Sequence, residues 1–371
     1  MSDAALIAPP LIALAAGGTG GHLFPAEALA QELKRRGLSV LLVTDARGAR
    51  YAQNFPADER FEISAATPSI GGPVAKAAAA LSIAAGLVTS LREFKKRKPA
   101  AAVGFGGYPS LPAMKAAALM NIPYGVHEQN GVLGRANRML VKGADFTAHA
   151  FPVLEKLPSG VLTIEVGNPV RDAVAALDGA AYPPTDRDIH LLIFGGSQGA
   201  SIFSQAPVKA IAKLSEAIRG RLVVTHQARD SDKDAVMAAY EAAGVRAEVA
   251  PFFTDLPARM AKAHLVISRA GASTVTELAA IGRPSILVPL AIAMDDHQSG
   301  NARALAGKGA AVILPEKEFT EETLAGPLAE LLADPARLKT MARAAHGAVK
   351  SGAASRLADL VESIAVQKQA A

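Results

Sequence analysis

Two glycine-rich turns carry the strongest chemical signal in this sequence of 371 residues. The first runs from Gly17 to His22 and the second from Gly195 to Ala200, and each follows an apolar segment and opens a helical one. Glycine lets the backbone approach a ligand closely, and a helix start offers unpaired N–H groups and the positive end of a dipole. Two such turns, about 180 residues apart, predict two Rossmann-like halves that face a shared phosphate-binding cleft.

A dinucleotide site is the simplest alternative for the first turn. Asp45 ends the second predicted strand, where an acid that binds ribose would be expected. A G-x-G-x-x-G fingerprint that began at Gly18 would, however, need glycine where the chain has Leu23, and no acid ends the strand that follows the second turn. We therefore disfavour a nicotinamide cofactor and interpret Asp45 as a solvated strand-end residue.

Three side chains near strand ends have the chemistry of a general base. His22 follows the first turn, and a neutral imidazole accepts a proton near pH 7; the alternative is a helix residue that faces water. His127 and Glu128 end a predicted strand and begin a polar run up to Gly131, where ligands bind in open parallel sheets. The alternative for that run is that Asn130 caps the following helix.

A third strand, turn and helix spans Ser268–Glu277. The four residues from Thr274 to Glu277 fit a capping box, which explains them without a ligand. The functional interpretation places a diphosphate at the helix start and Glu277 on a ribose diol. The two interpretations are compatible.

Metal binding has weak support in the sequence. Asp295–His297 offers two carboxylates and an imidazole, but capping of the next helix by Asp296 is the preferred interpretation. The D-x-D letters of metal-dependent sugar transferases occur at Asp186–Asp188 and Asp230–Asp232, which we interpret as solvated turns.

Composition excludes several classes of protein. The chain has no Cys, which removes disulfides and thiolate catalysis, and its net charge is only +5. The basic run Arg92–Lys98 lacks the interleaved aromatic residues that nucleic-acid binding would favour. Residues 4–16 are apolar but have no basic start, so a secretory signal is disfavoured. The apolar segment Ala77–Leu91 is shorter than the ~20 residues of a spanning helix.

Short apolar strands alternate with helical segments along the chain, which predicts parallel sheets with crossover helices. In the first half, helices are expected at Ala75–Lys96 and Asn130–Val141, among others. A Pro-rich stretch follows Gly167–Arg171, and the strand pattern restarts at His190. We expect an α/β protein with a first domain at 1–168 and a second at 169–354, and with a helix at about 355–371 that packs back on the first.

The glycine-rich and polar segments together resemble the MurG family of glycosyltransferases. The resemblance covers nearly the whole chain, and its motifs are Gly17–His22, His127–Gly131, Gly167–Arg171, Gly195–Ala200, Arg269–Glu277 and His297-Gln298. It implies a glycosyltransferase-B fold of two Rossmann-like domains that face a central cleft, with a hinge near Gly167–Arg171. It also implies inverting transfer of N-acetylglucosamine from UDP-N-acetylglucosamine to the 4-hydroxyl of undecaprenyl-diphospho-N-acetylmuramoyl-pentapeptide. This step converts lipid I to lipid II in peptidoglycan synthesis, and it requires no metal or other cofactor.

The resemblance also implies which residues bind the donor. In the resemblance, residues 272–277 face the diphosphate and ribose of the donor. Gln298 contacts the donor sugar, and the backbone of Phe253 contacts the uracil. The acceptor hydroxyl needs a base, for which His22 is the first choice, Glu128 the second and His127 the third. The implied donor site consists of Thr19, Gly20, Gly21, Asn130, Arg171, Ser197, Phe253, Ala272, Ser273, Thr274, Val275, Thr276, Glu277 and Gln298.

The implied acceptor has a polyprenyl tail, so the enzyme must reach a membrane. Ala77–Leu91 adjoins the basic run Arg92–Lys98, and anionic lipid attracts such clusters. We expect peripheral association with the cytoplasmic face of the bacterial inner membrane and, as further partners, other cell-wall synthesis proteins. The alternative is a buried Ala-rich helix with a solvated basic end.

Two other functions fit the same motifs. One is another UDP-sugar transferase of this fold that acts on a glycolipid or diacylglycerol. The other is a non-catalytic protein that binds a sugar nucleotide.

Overall fold

The computed structural model describes residues 9–18, 20–50, 52–66, 72–195, 201–290 and 296–369. The chain folds into two compact units. Unit 1 comprises Met1–Arg171 together with Gly352–Ala371, and unit 2 comprises Asp172–Ser351. Both contain a parallel sheet with helices, so the predicted α/β class with two Rossmann-like domains is confirmed.

The strands of unit 1 are β1 Leu11–Ala15, β2 Ser39–Thr44, β3 Glu59–Glu62, β4 Ala101–Gly104, β5 Tyr124–Glu128, β6 Phe146–His149 and β7 Ile164–Glu165. They pair in the order β3-β2-β1-β4-β5-β6-β7, and every pairing is parallel. The first helices of the chain are α1 Gly20–Arg35, α2 Ala46–Ala49, α3 Pro73–Arg97, α4 Ser110–Leu119 and α5 Arg135–Arg138, and a short 3₁₀ helix spans Val141–Gly143.

Strand β1 lies in the middle of this sheet because its side chains are apolar on both faces. Ile12 and Leu14 pack into one core with α1, whereas Ala13 and Ala15 pack into a second core with α4. Buried parallel strands read as continuous apolar runs for this reason. The carboxyl ends of β1, β4 and β5 therefore lie side by side at one edge of the sheet.

Unit 2 repeats the arrangement. Its strands are β8 Ile189–Phe194, β9 Leu222–Gln227, β10 Arg246–Ala250, β11 Leu265–Ser268, β12 Ser285–Leu287 and β13 Ala311–Ile313, in the order β10-β9-β8-β11-β12-β13. Its helices are α6 Asp172–Ala175, α7 Ser201–Ala212, α8 Glu216–Arg219, α9 Lys233–Ala242, α10 Leu256–Lys262, α11 Ala272–Ile281, α12 His297–Ala306, α13 Glu321–Ala333 and α14 Pro335–His346. A 3₁₀ helix spans Glu316–Glu318.

The last helix, α15 Ala353–Gln369, belongs to unit 1. Leu357 and Val361 are fully buried in the core that α1 also covers. At the end of α1, the Arg36 guanidinium pairs with Asp359 at 2.7 Å and with Glu362 at 2.5 Å. Apolar burial and this charge cluster together hold α15 against α1.

Helix α3 forms close to its expected range, Ala75–Lys96, and two of its properties bear on the expected membrane contact. It is 25 residues long, and in the described part of the chain it alone has the length and hydropathy of a membrane-crossing helix, which is weak evidence of a span. It is also mostly exposed, with only 17% of its most apolar window buried. The alternative of a buried Ala-rich helix is therefore wrong. The exposed large side chains are Val74, Leu81 and Val88, at 84%, 72% and 47% exposure.

Candidate active site

The first glycine turn is anchored by Asp45. Its Oδ1 accepts hydrogen bonds from the backbone N–H groups of Gly18, at 2.8 Å, and Gly48, at 3.0 Å. A Cβ at Gly17 would lie 2.6 Å from the same oxygen, and Gly18 has a φ of +81°, so both positions favour glycine. Asp45 is only 4% exposed, so the interpretation of Asp45 as solvated is wrong. Thr19, the next residue of the turn, lies outside the described residues.

His22 is in the first turn of α1, next to Gly20 and Gly21. Its Nδ1 lies 3.0 Å from the Phe105 carbonyl oxygen and also contacts the side-chain amide of Gln129. A carbonyl oxygen can only accept, so this contact requires the proton on Nδ1. In the neutral ring, Nε2 then carries the lone pair, which is the state a general base needs.

The loop after β4 encloses the His22 ring, and our sequence reasoning missed it. Gly106 and Gly107 both have positive φ, +83° and +70°. A Cβ at Gly107 would lie 3.2 Å from His22 Cδ2, and one at Gly106 would lie 3.5 Å from Cε1. The missed signal was a pair of glycines directly after an apolar strand, the same signal that identified the other two turns.

His127 has the geometry of a structural residue. It is completely buried, and its Nε2 lies 2.9 Å from the Gly167 carbonyl oxygen, to which it donates. Burial lowers the pKa of His127 to about 4, so the ring is neutral at physiological pH. A general base must contact the proton it removes, so this burial argues against the third candidate.

Glu128 organises the loop that follows β5. Its Oε1 accepts from the backbone and side-chain nitrogens of Asn130, both at 3.0 Å. Its Oε2 accepts from the Gly134 backbone at 2.9 Å and from Asn137 Nδ2 at 2.8 Å. Each oxygen of this buried carboxylate therefore has two donors.

The same contacts explain why the predicted helix over Asn130–Val141 is wrong. Asn130 binds back to Glu128 instead of capping a helix, and the chain to Gly134 forms a loop. Only α5, of four residues, and the 3₁₀ helix Val141–Gly143 form in this range.

Arg171, the last residue of unit 1 before α6, stacks on an aromatic ring. Its guanidinium carbon lies 4.0 Å from the centroid of the Phe24 ring, on α1. Stacking of this kind orients a guanidinium through the ring quadrupole. Arg171 is thereby held beside Gly20 and Gly21, two other residues of the expected donor site.

In unit 2, helix α11 begins three residues earlier than a capping box would require. Gly271 occupies the N-cap position and provides no side-chain cap, so the predicted capping box at Thr274–Glu277 is wrong. Thr276 Oγ1 instead donates to the Ala272 carbonyl at 2.8 Å within the helix. The first N–H groups of α11, at residues 272–274, therefore receive no side-chain oxygen from the N-cap residue.

A side chain of α12 holds the turn that precedes α11. The buried Asn301 donates through Nδ2 to the Ala270 carbonyl at 3.1 Å. The Ser273 hydroxyl oxygen is buried and has no hydrogen-bond partner among the described residues. An uncapped helix start with an unsatisfied hydroxyl has the features of an anion site. Val275, Thr276 and Glu277 are buried residues of the same helix.

Two other expected donor-site residues belong to unit 2: Gln298 in the first turn of α12, and Phe253 in the loop before α10. Gln298 Oε1 accepts from the Leu290 backbone at 3.0 Å, which leaves the amide Nε2 as the donor end. Phe253 is 7% exposed, and the Arg259 guanidinium lies 4.2 Å from its ring centroid. Ser197 and Asp295 lie outside the described residues.

Asp296 does not cap α12 as expected. It adopts a left-handed conformation with φ of 54°, and its carboxylate accepts from the Ser299 hydroxyl at 2.7 Å rather than from a backbone N–H. One aspartate of each D-x-D sequence pairs with an arginine, Asp188 with Arg246 and Asp232 with Arg229. No group of three acidic or histidine side chains that could hold a metal occurs in the part of the chain that the structure describes.

Models of two protein domains match the chain. The glycosyltransferase family 28 N-terminal domain matches residues 12–148, and the glycosyltransferase family 28 C-terminal domain matches residues 190–362. The matched ranges contain every strand except β7, the first residue of β1 and of β8, and the last residue of β6, and they include both helix starts described above.

Curated relatives resemble the chain over almost its full length. An N-acetylglucosamine transferase of Rhizobium meliloti, named for UDP-N-acetylglucosamine and N-acetylmuramyl-(pentapeptide) pyrophosphoryl-undecaprenol, is 49% identical over 96% of both chains. The protein of the same name from Caulobacter vibrioides is 48% identical over 96% of this chain and 99% of its own.

Solved structures agree with these matches. MurG of Acinetobacter baumannii superposes with a TM-score of 0.78 at 32% identity, and covers 96% of this chain and 100% of its own. The kitacinnamycin glycosyltransferase, at 20% identity and a TM-score of 0.69, shares the fold. The chain therefore belongs to glycosyltransferase family 28 and, within it, to the MurG family.

Proposed function

We propose that this protein transfers N-acetylglucosamine from UDP-N-acetylglucosamine to the 4-hydroxyl of undecaprenyl-diphospho-N-acetylmuramoyl-pentapeptide, with inversion, and so makes lipid II for peptidoglycan. The observation that carries this proposal is the 49% identity, over 96% of the chain, to a transferase named for that donor and that acceptor. Two features support it: the start of α11 in unit 2 and His22 in unit 1.

The donor diphosphate is assigned to the start of α11 in unit 2. As the glycosidic bond breaks, UDP gains negative charge, and preorganised N–H groups at a helix start stabilise such charge. The uncapped residues 272–274 and the buried Ser273 hydroxyl fit this role. Glu277 would accept from the ribose hydroxyls and Gln298 would donate to the sugar. Because the helix supplies the electrostatic stabilisation, we propose that no metal ion is required.

The acceptor hydroxyl is assigned to His22 in unit 1. With its proton on Nδ1, the ring can take the hydroxyl proton on Nε2 while oxygen attacks the anomeric carbon. Glu128 and His127 take supporting roles, since the first holds the loop at Asn130 and the second is buried. Thr19, Gly20, Gly21, Asn130, Arg171, Ser197 and Phe253 complete the proposed donor site.

Helix α3 is proposed to meet the membrane from the cytoplasmic side. Leu81 and Val88 are seven residues apart on its exposed face, and that face continues into the exposed Arg92, Lys95 and Lys96. Exposed apolar residues beside cations are typical of helices that lie in the interface of an anionic bilayer. This arrangement would bring the enzyme to its polyprenyl-linked substrate without a spanning segment.

A UDP-release assay with two acceptors, run with and without EDTA, tests the function. We expect turnover with the muramoyl-pentapeptide lipid, no turnover with diacylglycerol, and full activity in the presence of EDTA. Turnover with diacylglycerol instead would assign another glycolipid transferase, and donor binding without any turnover would assign a non-catalytic protein. Loss of activity in EDTA that Mg²⁺ restores would contradict the metal-independent mechanism.

A further inference from the structure

We propose that Gln129 is a positioning residue for His22, and that its side-chain oxygen shares the Nδ1 hydrogen with the Phe105 carbonyl. The two oxygens would hold the tautomer whose basic nitrogen is Nε2. This inference rests on the proposed role of His22 as the base.

The contacts place two groups on the same ring nitrogen. The Phe105 carbonyl oxygen lies 3.0 Å from His22 Nδ1, and Nε2 of the Gln129 amide contacts that atom as well, while the buried Gln129 Oε1 has no hydrogen-bond partner among the described residues. The carbonyl comes from the loop after β4, whereas Gln129 directly follows β5, the neighbouring strand. Two adjacent strand ends therefore converge on one side of the imidazole.

Only one orientation of the Gln129 amide is compatible with the carbonyl. If the amide N–H donated to Nδ1, that nitrogen would present a lone pair to the Phe105 oxygen, which repels it. The ring proton would then be on Nε2, and the ring could not remove a proton from a hydroxyl. With the amide oxygen towards Nδ1, one N–H serves two acceptors. The structure has Nε2 towards His22, and the inference exchanges it with Oε1; the two orientations occupy the same space, since a carboxamide has nearly equal arms.

The surroundings hold this amide in place. Gln129 is 2% exposed and lies between Glu128, whose carboxylate accepts four hydrogen bonds, and Asn130, which supplies two of them. The two residues that precede Gln129 in the chain are ionisable: Glu128, with that carboxylate, and His127, which is buried and neutral. The amide therefore has little freedom to leave the His22 ring.

Such a pair of acceptors also acts on the charged state of the base. When His22 takes the hydroxyl proton it becomes an imidazolium, and hydrogen bonds from a cationic donor are stronger than those from a neutral one. Two oxygens on Nδ1–H would stabilise that cation without a formal negative charge. Glu at position 129 would keep a side-chain oxygen that accepts from Nδ1–H, whereas Met would keep only the size of the side chain.

The tautomer can be measured directly by ¹⁵N NMR of the native protein labelled on histidine, with the His22 signals assigned by their loss in His22→Gln. We expect the neutral ring to carry its proton on Nδ1, and the Nε2–H form to gain population in Gln129→Met. Gln227→Met is the matched control, because Gln227 is also a buried glutamine at the carboxyl end of a strand: it is the last residue of β9 in unit 2, whereas Gln129 directly follows β5. That variant should leave the His22 signals unchanged. A native ring protonated on Nε2 would overturn the inference.

The kinetic test compares two substitutions at the same position. We expect Gln129→Met to lower kcat about 10-fold or more with little change in KM for UDP-N-acetylglucosamine, and Gln129→Glu to restore most of that loss. If Glu is as damaging as Met, the amide acts as a donor and the inference is wrong. Failure of the native enzyme to use the muramoyl lipid would instead reject the proposed function, while the NMR result would stand by itself.

Discussion

The guanidinium of Arg171 lies 4.0 Å from the ring centroid of Phe24. Space for that ring exists because residue 20 is glycine, where an added Cβ would come within 3.0 Å of Phe24 Cζ. The first glycine turn therefore does more than expose backbone N–H groups. It also makes room for the aromatic ring on which an arginine of the proposed donor site rests.

Removing the aromatic face should weaken donor binding. Cation–π stacking of a partly desolvated guanidinium contributes about 1 kcal/mol, so we expect Phe24→Leu to raise KM for UDP-N-acetylglucosamine about 5-fold, with a smaller change in kcat. Phe24→Tyr keeps the ring and should behave as wild type. Steady-state kinetics with varied donor decide this, and an unchanged KM in Phe24→Leu would show that the stacking does not orient Arg171.

His22 and Glu128 should be separable by activity and stability. Loss of a general base costs 10²–10⁴-fold in rate, so we expect His22→Ala to lose kcat by about that factor at an unchanged melting temperature. Glu128→Gln replaces an acceptor of buried N–H groups with a donor, which should lower stability by about 1–3 kcal/mol. Turnover with a soluble acceptor analogue and thermal unfolding measure the two effects. Full kcat in His22→Ala would assign that residue a positional role only.

Glu277 should discriminate donors by their ribose. A carboxylate that accepts from both ribose hydroxyls loses one contact with a 2′-deoxy donor. We expect wild type to prefer UDP-N-acetylglucosamine over its 2′-deoxyribose analogue by about 10-fold in kcat/KM, and Glu277→Gln to reduce that preference. Equal discrimination in both proteins would place the ribose elsewhere.

Charge reversal at the end of α3 should weaken membrane binding. Each cation near an anionic surface contributes about 1 kcal/mol, so Lys95→Glu, Lys96→Glu and Lys98→Glu together should abolish sedimentation with vesicles that contain anionic lipid. The matched control reverses Lys209, Lys233 and Lys262, which lie on helices α7, α9 and α10 of unit 2. Turnover of a water-soluble acceptor should stay at the wild-type rate. Unchanged vesicle binding in the α3 variant would remove the membrane role of this helix.

The buried His226 should make folding sensitive to pH. Burial lowers its pKa to about 4 from 6.5, so between these values the unfolded chain binds more protons than the folded one. Stability is then fully present above about pH 6.5 and falls as the pH drops towards 4, by at most about 3 kcal/mol from this group.

Denaturant unfolding at pH 7 and pH 5 measures that loss. His226→Gln should reduce the difference between the two pH values, because its side chain does not titrate. An equal pH dependence in wild type and His226→Gln would contradict the prediction.

Much of the fold was predictable because the strands of a buried parallel sheet appear in the sequence as short, continuous apolar runs. The run Leu11–Ala15 is apolar on both faces, as buried strands require, and polar or glycine-rich residues follow where it ends. The same pattern at Ile189–Phe194 predicted the second sheet. Because carboxyl ends of parallel strands share an edge, the sequence also predicted that His22 and Glu128 belong to one region of unit 1.

The errors have a common physical origin, which is that the sequence does not specify which partner a side chain contacts. Asp45 looks like a solvated strand end until the Gly18 N–H, 27 residues away, is seen to donate to it. Asn130 looks like a helix cap until Glu128 turns back to bind it. The Gly106-Gly107 loop was visible as a pattern, but its partner, the His22 ring, was not.

The return of α15 to the first sheet gives the fold an unequal architecture. Asp172–Ser351 is one uninterrupted stretch of chain, whereas its counterpart is assembled from two pieces. The former is thus an insertion that a single gene fragment can encode. Unit 1 made by itself needs an artificial link from Arg171 to Gly352 that keeps α15 in the chain. Without α15, the apolar face that Leu357 and Val361 cover would be exposed.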